Sequence, residues 1–417
     1  MLIIVTAGAA FLSPGGMEAK GSEKLYWGST LLIAAGAMGA FLSTDLFFFY
    51  AFHELALIPT FLMIGKLGHG EDRVDVAWRA TLYLGLGSLV LLGGLLGVVF
   101  ATGGTTFDIR SLQELAQSGA ISVEAQRWLF PVVFLGFGVL VSLFPFHSWA
   151  APAYAAAPTP VAMLHAGVLK KFGLYGLLRV AWPMLPEGVA MWENWVMVLL
   201  LGNVIYIGLI TISQDRLDRM LGYSSVMHMG YVFLGLISFN ALGISGAIVL
   251  LFAHGVSTAL LFGLCGQMRQ SYPTLDMRFI GGQGKQVPSL CFLYLLAAFA
   301  ALGLPGFANF SSELLVFLGG FKNYEGGSFE WLQWTTVVAL WGVVISAVYL
   351  LRSVRKLFHG ENPGEENMRD LGVSTVVPAA LLVAVLLAVG IRPSLLLDLI
   401  PDVVEGIVTH ATTLTSS

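Results

Sequence analysis

The sequence predicts an all-α fold: a polytopic membrane helix bundle of about 11–12 spans, in which two broken helices hint at the paired repeats common in transporters. Three observations predict it. Hydrophobic residues make up 57% of the 417 and charged residues only 11%, with a mean hydropathy of +0.81, far below the roughly 25% charge of soluble domains. Apolar runs longer than about 18 residues, enough to cross a bilayer as a helix, recur along the chain. The 49 glycines suit close approach between membrane helices, where packing replaces the hydrophobic effect.

Taken in order, residues 1 to 12 are apolar but reach only about 18 Å as a helix, too short to span. No cationic segment precedes them, so they read as the remnant or start of a span rather than a signal peptide. The runs near 26 to 44, 46 to 66, 77 to 101, 129 to 150, 158 to 182, 191 to 213, 219 to 239, 241 to 268, 332 to 352 and 374 to 393 each fit one membrane helix. Two places break the pattern. Prolines 145, 152, 158 and 160 cannot lie in one continuous helix. The longer run from 287 to 323 carries Leu302-Gly-Leu-Pro-Gly-Phe307 in its middle and is either two spans or one interrupted crossing.

Cation counting separates those alternatives. With a single crossing, fourteen of the 21 Lys and Arg residues share one face, five lie opposite and two, Lys170 and Lys171, lie inside. Two crossings would move four of the fourteen across. The positive-inside rule therefore favours one broken helix and puts the richer face in the cytoplasm. A broken helix at membrane depth requires protein or water to satisfy its freed backbone groups, which points to a hydrated cavity. A weak echo between His165-Ala-Gly-Val-Leu-Lys-Lys-Phe-Gly and His254-Gly-Val-Ser-Thr-Ala-Leu-Leu-Phe-Gly supports internal repetition. The remaining soluble pieces, 102 to 128, 352 to 373 and an amphipathic tail after Pro393, are small, so residues 1–417 form a single membrane domain.

The chemistry lies in ionisable groups placed in hydrocarbon. Glu54 sits mid-span in a run that otherwise belongs in lipid, and a charge there costs about 2.5 to 3.5 kcal/mol on insertion scales, so it normally faces a partner or a wet cavity inside the bundle. Lys170, Lys171, Glu313, His53, His165, His228 and His254 share that depth. Adjacent lysines stand about 100° apart on a helix, so at most one points straight into the core. Glu313 follows the Pro305 break; its simple reading is a first-turn residue stabilised by the helix dipole, its sharper one a proton-carrying group. A row of Glu, Lys and His at this depth is what a proton relay requires. Haem ligation competes for the histidines, but matched His pairs do not recur. Cys265 and Cys291 lack metal or disulfide spacing. The net charge of −4 gives no footprint for nucleic acid, and no glycine-rich nucleotide motif is present.

The motifs Phe49-Tyr-Ala-Phe-His-Glu-Leu-Ala-Leu-Ile-Pro59, Pro145-Phe-His-Ser-Trp149, Lys171 with Tyr175-Gly-Leu-Leu-Arg179, Gly222-Tyr-Ser-Ser-Val-Met-His-Met-Gly-Tyr231, Ala253-His-Gly255 and Leu302-Gly-Leu-Pro-Gly306 with Glu313 fall in an order that resembles the antiporter-like subunits of proton-translocating NADH:quinone oxidoreductase, chain 4 type. The match covers about residues 40–320, the expected proton-translocating core. The resemblance implies two inverted five-helix repeats, a central polar axis, and proton-translocating roles for Glu54, Lys171, His254 and Glu313, with Lys170, His53, His165 and His228 as alternates. It implies no cofactor, metal or catalytic redox group in this chain, with FMN, iron-sulfur clusters and quinone in partner subunits, and a multi-pass place in the bacterial inner (plasma) membrane beside other membrane-arm subunits. Multisubunit Na+/H+ antiporter subunits look similar, and that reading stays open. Departures are specific: Leu140 stands where the family lysine partner of the Glu is expected, Ala150-Ala-Pro-Ala-Tyr154 replaces Leu-Pro-Asp-Ala-His, and Asp218 replaces the lysine of a Lys-Arg pair. Leu140 leaves room for a third reading, a structural homologue that does not conduct.

Overall fold

In the computed structural model, residues 1–272, 274–324, 326–360, 369–401 and 404–407 are described. Parts of two expected soluble pieces, residues 361–368 and 408–417, lie outside them. The helices are α1 (Leu2–Leu12), α2 (Gly15–Glu18), α3 (Glu23–Leu42), α4 (Leu46–Leu67), α5 (Arg73–Ala101), α6 (Ile109–Gln117), α7 (Val123–Val141), α8 (Ala150–Ala156), α9 (Thr159–Met184), α10 (Pro186–Ser213), α11 (Leu217–Ile237), α12 (Ala241–Ser271), α13 (Pro288–Leu302), α14 (Ala308–Phe321), α15 (Trp331–Phe358) and α16 (Val373–Ile391). Ten are long and apolar enough to cross a membrane. The chain is a multi-pass membrane protein.

Local chemistry sets the helix starts. The Asp45 carboxylate accepts the Phe47 and Phe48 amides at the head of α4, and Asn240 accepts the Gly243 amide at the head of α12. These caps satisfy amides that have no partner within their helix. Asp370, from the far side of a loop, does the same for α13, accepting the Ser289 and Leu290 amides. Among the soluble pieces, residues 102 to 128 hold the short amphipathic α6, whose Ile109 and Leu112 are buried and whose Gln113 amide donates to the Arg179 carbonyl.

Segment 287–323 makes one interrupted crossing, as the cation count predicts. Tyr294 near the start of α13 bonds Ser353 near the end of α15 at 2.9 Å, whereas Gln333 near the start of α15 donates to Gly320 at the end of α14. The chain therefore runs from one face to the other across the break at Leu302–Ala308. The first break behaves alike: α7 ends at Val141, an irregular stretch follows, and α8 completes the crossing to Ala155, whose carbonyl accepts from Arg269. The predicted helix over 129 to 150 is thus two pieces. Two sets of five spans result, α3 to α9 and α10 to α15, with the fourth span broken in each. The two broken spans run in opposite directions, which fits inverted repeats.

Asn203, on α10, holds the first break together. Its side-chain oxygen accepts the Phe144 amide at 2.6 Å, and its nitrogen donates to the Ser142 and Val226 carbonyls. The Phe144 and Ser142 groups are ones that a continuous helix would have paired and that lipid cannot satisfy, while the Val226 carbonyl ties the break to the middle of α11. Glycines permit the closest contacts: a Cβ on Gly246 of α12 would stand 2.7 Å from the Val316 amide nitrogen of α14. The echoing segments meet in the same way, since a Cβ on Gly255 would lie 2.7 Å from the Gly167 carbonyl.

The cation-rich face is knitted by its charges. Asp218, 1% exposed, accepts from Arg216 at 2.8 Å and Arg269 at 3.0 Å, Lys356 pairs with Asp215, and Arg278 with Asp276. This gives Asp218 a physical role at its unexpected position: it ties α11 to the end of α12. Removing one member of a buried ion pair leaves its partners uncompensated, so Asp218→Ala should cost about 3 kcal/mol. Thermal unfolding of the detergent-solubilised protein measures this, and an unchanged midpoint would refute the role.

Candidate proton-translocating axis

The centre of the bundle is α9, and its whole circumference is packed. Two π-helical turns, His165–Leu169 and Leu177–Ala181, interrupt it; such bulges frequently mark functional sites. Because protein surrounds α9, Lys170 and Lys171 are both 1% exposed. This corrects the expectation that only one could face the core: on a central helix every direction is inward. The Lys170 amine donates to Ser225 at 3.4 Å and lies over the Tyr154 ring. The Lys171 amine donates to the Ala166 carbonyl and meets His254 Nδ1 at 2.9 Å.

From Lys171 the polar line continues toward the second break. His254 Nε2 reaches the Thr258 hydroxyl at 3.2 Å, and the His254 and His228 rings stand 5.5 Å apart. His228 Nδ1 faces the Ser224 carbonyl at 2.8 Å and Nε2 the Ala301 carbonyl at 3.2 Å, the latter at the end of α13. A neutral imidazole can donate to one of those carbonyls, an imidazolium to both. Ser224 also bonds the Tyr349 hydroxyl at 2.7 Å. Ser224, His228, His254, Thr258, Ala301 and Asn309 line a cavity of about 10 Å³, about the volume that one water needs.

Glu313 lies past the break, on the sixth residue of α14, buried, beside Gly303. It is therefore not a first-turn residue, and the dipole reading of its position fails on geometry. Its Oε1, both amide atoms of Asn309, the Tyr231 hydroxyl, the Tyr154 hydroxyl and both His165 nitrogens are buried without a hydrogen-bond partner among the described residues. Buried polar groups are nearly always paired; these lie on α8, α9, α11 and α14, on the two sides of the lysine–histidine line.

Glu54 stands apart from this line. Its carboxylate accepts from Ser88, whose oxygen lies 3.0 Å from the Tyr50 hydroxyl and can accept from it, and faces His53 Nδ1 at 3.4 Å. The side chain is 36% exposed on the flank between α4 and α5. The sequence suggests a cation partner inside the bundle; among the described residues, no Lys or Arg pairs with it. Leu140, where that lysine would be expected, is buried in apolar packing. Between Glu54 and Lys171 lies a ring stack, His53 on Phe172 at 4.0 Å. The structure thus joins Lys171, His254 and His228, sets His165 against Tyr154 beside Lys170, and leaves Glu54 with His53 on the other side of Phe172.

Sequence reasoning missed Asn203 and Ser88. Each is a single polar residue inside an apolar run, and that is the only signal it gave. No group of three or more potential metal ligands occurs among the described residues.

Paired sets of spans, each with a broken fourth helix and a core of buried Lys and His, define an antiporter-like membrane subunit. Residues 43–348 match the family of NADH:quinone oxidoreductase/Mrp antiporter transmembrane proteins. The chain belongs to that family. It is 34% identical over 387 residues to NADH-quinone oxidoreductase subunit M of Pseudomonas aeruginosa, a match that covers 90% of this chain and 74% of the relative. A chain of respiratory complex I from Thermus thermophilus superposes with a TM-score of 0.87 at 30% identity, covering 99% of this chain and 84% of that one. A chain of the Mrp complex from Dietzia sp. shares the fold, with a TM-score of 0.84 at 20% identity over 100% of this chain and 83% of that chain.

Proposed function

We propose that this chain is a membrane-arm subunit of a proton-translocating NADH:quinone oxidoreductase of the bacterial inner membrane, in which Lys171, His254 and His228 pass protons laterally between Glu54 on one flank and Glu313 at the second break. The observation that carries the reading is the Lys171 amine held on His254 Nδ1 at 2.9 Å, with no carboxylate paired to it among the described residues. An ammonium in that position donates to His254, and an amine accepts from it, so the pair exchanges a proton along one hydrogen bond. His228 supplies the next station. The chain carries no redox chemistry in this account; FMN, iron-sulfur clusters and quinone belong to partner subunits.

Leu140 favours a second reading, a structural member of the arm that does not conduct, and the Mrp-like fold keeps an antiporter subunit as a third. Glu54→Gln in the assembled complex separates the first two: a working relay should lose coupled pumping by about an order of magnitude, measured as protons moved per NADH oxidised. An unchanged ratio would support the structural reading. Pumping that requires Na+ in the medium would support the antiporter.

A further inference from the structure

On the cation-rich face, a cavity of about 550 Å³ opens between α2, the loop after α4 and the ends of α11 and α12; Glu18, Lys20, His69, Arg73, Asp218 and Arg269 are among its walls. At its floor lies Glu18, only 3% exposed. The carboxylate accepts four hydrogen bonds: from the Tyr26 hydroxyl at 2.7 Å, the Thr159 amide at 2.9 Å, the Thr159 hydroxyl at 2.7 Å and His69 Nε2 at 3.2 Å. His69 is half-open to the cavity, its side chain 23% exposed. This pair therefore joins bulk water to the first residue of α9, the helix that carries His165, Lys170 and Lys171.

From this geometry we infer that His69 and Glu18 form the cytoplasmic proton-uptake port of this subunit, delivering protons through Thr159 to His165 and Tyr154 and so to the buried lysines. The inference rests on the relay reading above. His69 takes a proton from cavity water on Nδ1 and yields one from Nε2 to Glu18 Oε1. Glu18 hands it to the Thr159 hydroxyl, which releases its own inward. One transfer leaves His69 as its Nδ1–H tautomer, so the imidazole ring must turn over, and the Thr159 hydroxyl rotate back, before the next proton. Six positions separate Thr159 from His165, a rise of about 9 Å along α9, longer than one hydrogen bond, so the inferred path needs water to cross this interval. The groups awaiting it are present: both His165 nitrogens and the Tyr154 hydroxyl are buried with no partner among the described residues, and Lys170 lies over the Tyr154 ring.

The surrounding charges are mixed. Lys20, Glu71, Arg73 and Arg269 share the cavity wall with the pair, Lys20 and Arg269 oppose a charge on His69, and Asp218 is occupied by Arg216 and Arg269. Burial pushes the Glu18 carboxyl up, but the bonds from His69, Thr159 and Tyr26 outweigh it and hold it below its ordinary value. Burial pushes the His69 imidazole down, more than Glu18 raises it. The sign for stability follows: Glu18 contributes stability above the ordinary carboxylate range, lost as pH falls through its lowered value.

Inverted membrane vesicles carrying the assembled complex put this cavity in the bath, so bath pH sets the proton supply. Protons pumped per NADH oxidised are measured for wild type, Glu18→Gln and Glu18→Asp between about pH 6 and pH 8. A lost collector starves uptake only when protons are scarce. Glu18→Gln should match wild type at the acid end and fall roughly threefold or more at the alkaline end, while Glu18→Asp keeps the wild-type profile. Equal loss at every pH would mark Glu18 as a structural clamp and overturn the port, as would an unchanged profile. Lys171→Met, assayed beside them, separates the failures. If Lys171→Met abolishes pumping and Glu18→Gln does nothing, the port alone falls; if neither matters, the relay falls with it.

Discussion

Lys171→Met should abolish coupled proton pumping, by roughly 10²-fold in the ratio of protons to electrons, without loss of the assembled complex. Methionine has nearly the length of lysine, and Lys171 lies wholly buried in the packed centre of α9. Exchanging a buried ammonium for an apolar chain of similar volume removes a desolvation cost, so stability should hold or rise. Only the chemistry is lost: the proton on the Lys171 amine and its exchange with His254 Nδ1. Lys171→Arg sharpens the result, because guanidinium keeps its charge but cannot release a proton in a protein. A relay therefore fails with Arg as with Met, whereas a site that needs only a fixed positive charge tolerates Arg. NADH-driven acidification of inverted vesicles, with NADH oxidation measured in parallel, separates the outcomes; full pumping in Lys171→Met would end the relay reading.

The sequence made the spans and the breaks legible because lipid leaves few options. Every backbone group must be paired within a helix unless protein or water stands in, so proline clusters at 145 to 160 and Pro305 had to mark breaks. The distribution of Lys and Arg was enough to show that 287–323 crosses once. The ionisable residues of the axis were visible for the same reason, since a charge in hydrocarbon is costly wherever it sits. What was not legible was direction. Periodicity cannot show that α9 is central and packed on all sides, so the two lysines competed on paper for a face that both possess. It also cannot show that Glu54 lies on the outer flank, because that depends on how α4 rotates against α5. Asn203 was hidden for a different reason: an Asn in an apolar run reads as noise until the break it mends is visible. His228, treated as one histidine among several, likewise gains its role from the Ala301 carbonyl that the second break sets free.

The second break offers the next large effect. Gly303 adopts φ +75, in the left-handed region, and a Cβ placed there would stand 2.7 Å from Glu313 Oε2. Gly303→Val should therefore fail twice. A β-branched residue in that conformation costs on the order of 1–2 kcal/mol or more, and its side chain displaces the carboxylate that ends the axis. Thermal stability should fall by several degrees and pumping by roughly tenfold. Gly303→Asn divides the two causes, because Asn tolerates the left-handed region far better than Val but still brings a Cβ against Glu313. If pumping follows the position of the Glu313 carboxylate, Asn should recover most of the stability and little of the pumping. Recovery of both together would mean that the break needs glycine for its backbone alone, and that Glu313 can move without consequence for the protons.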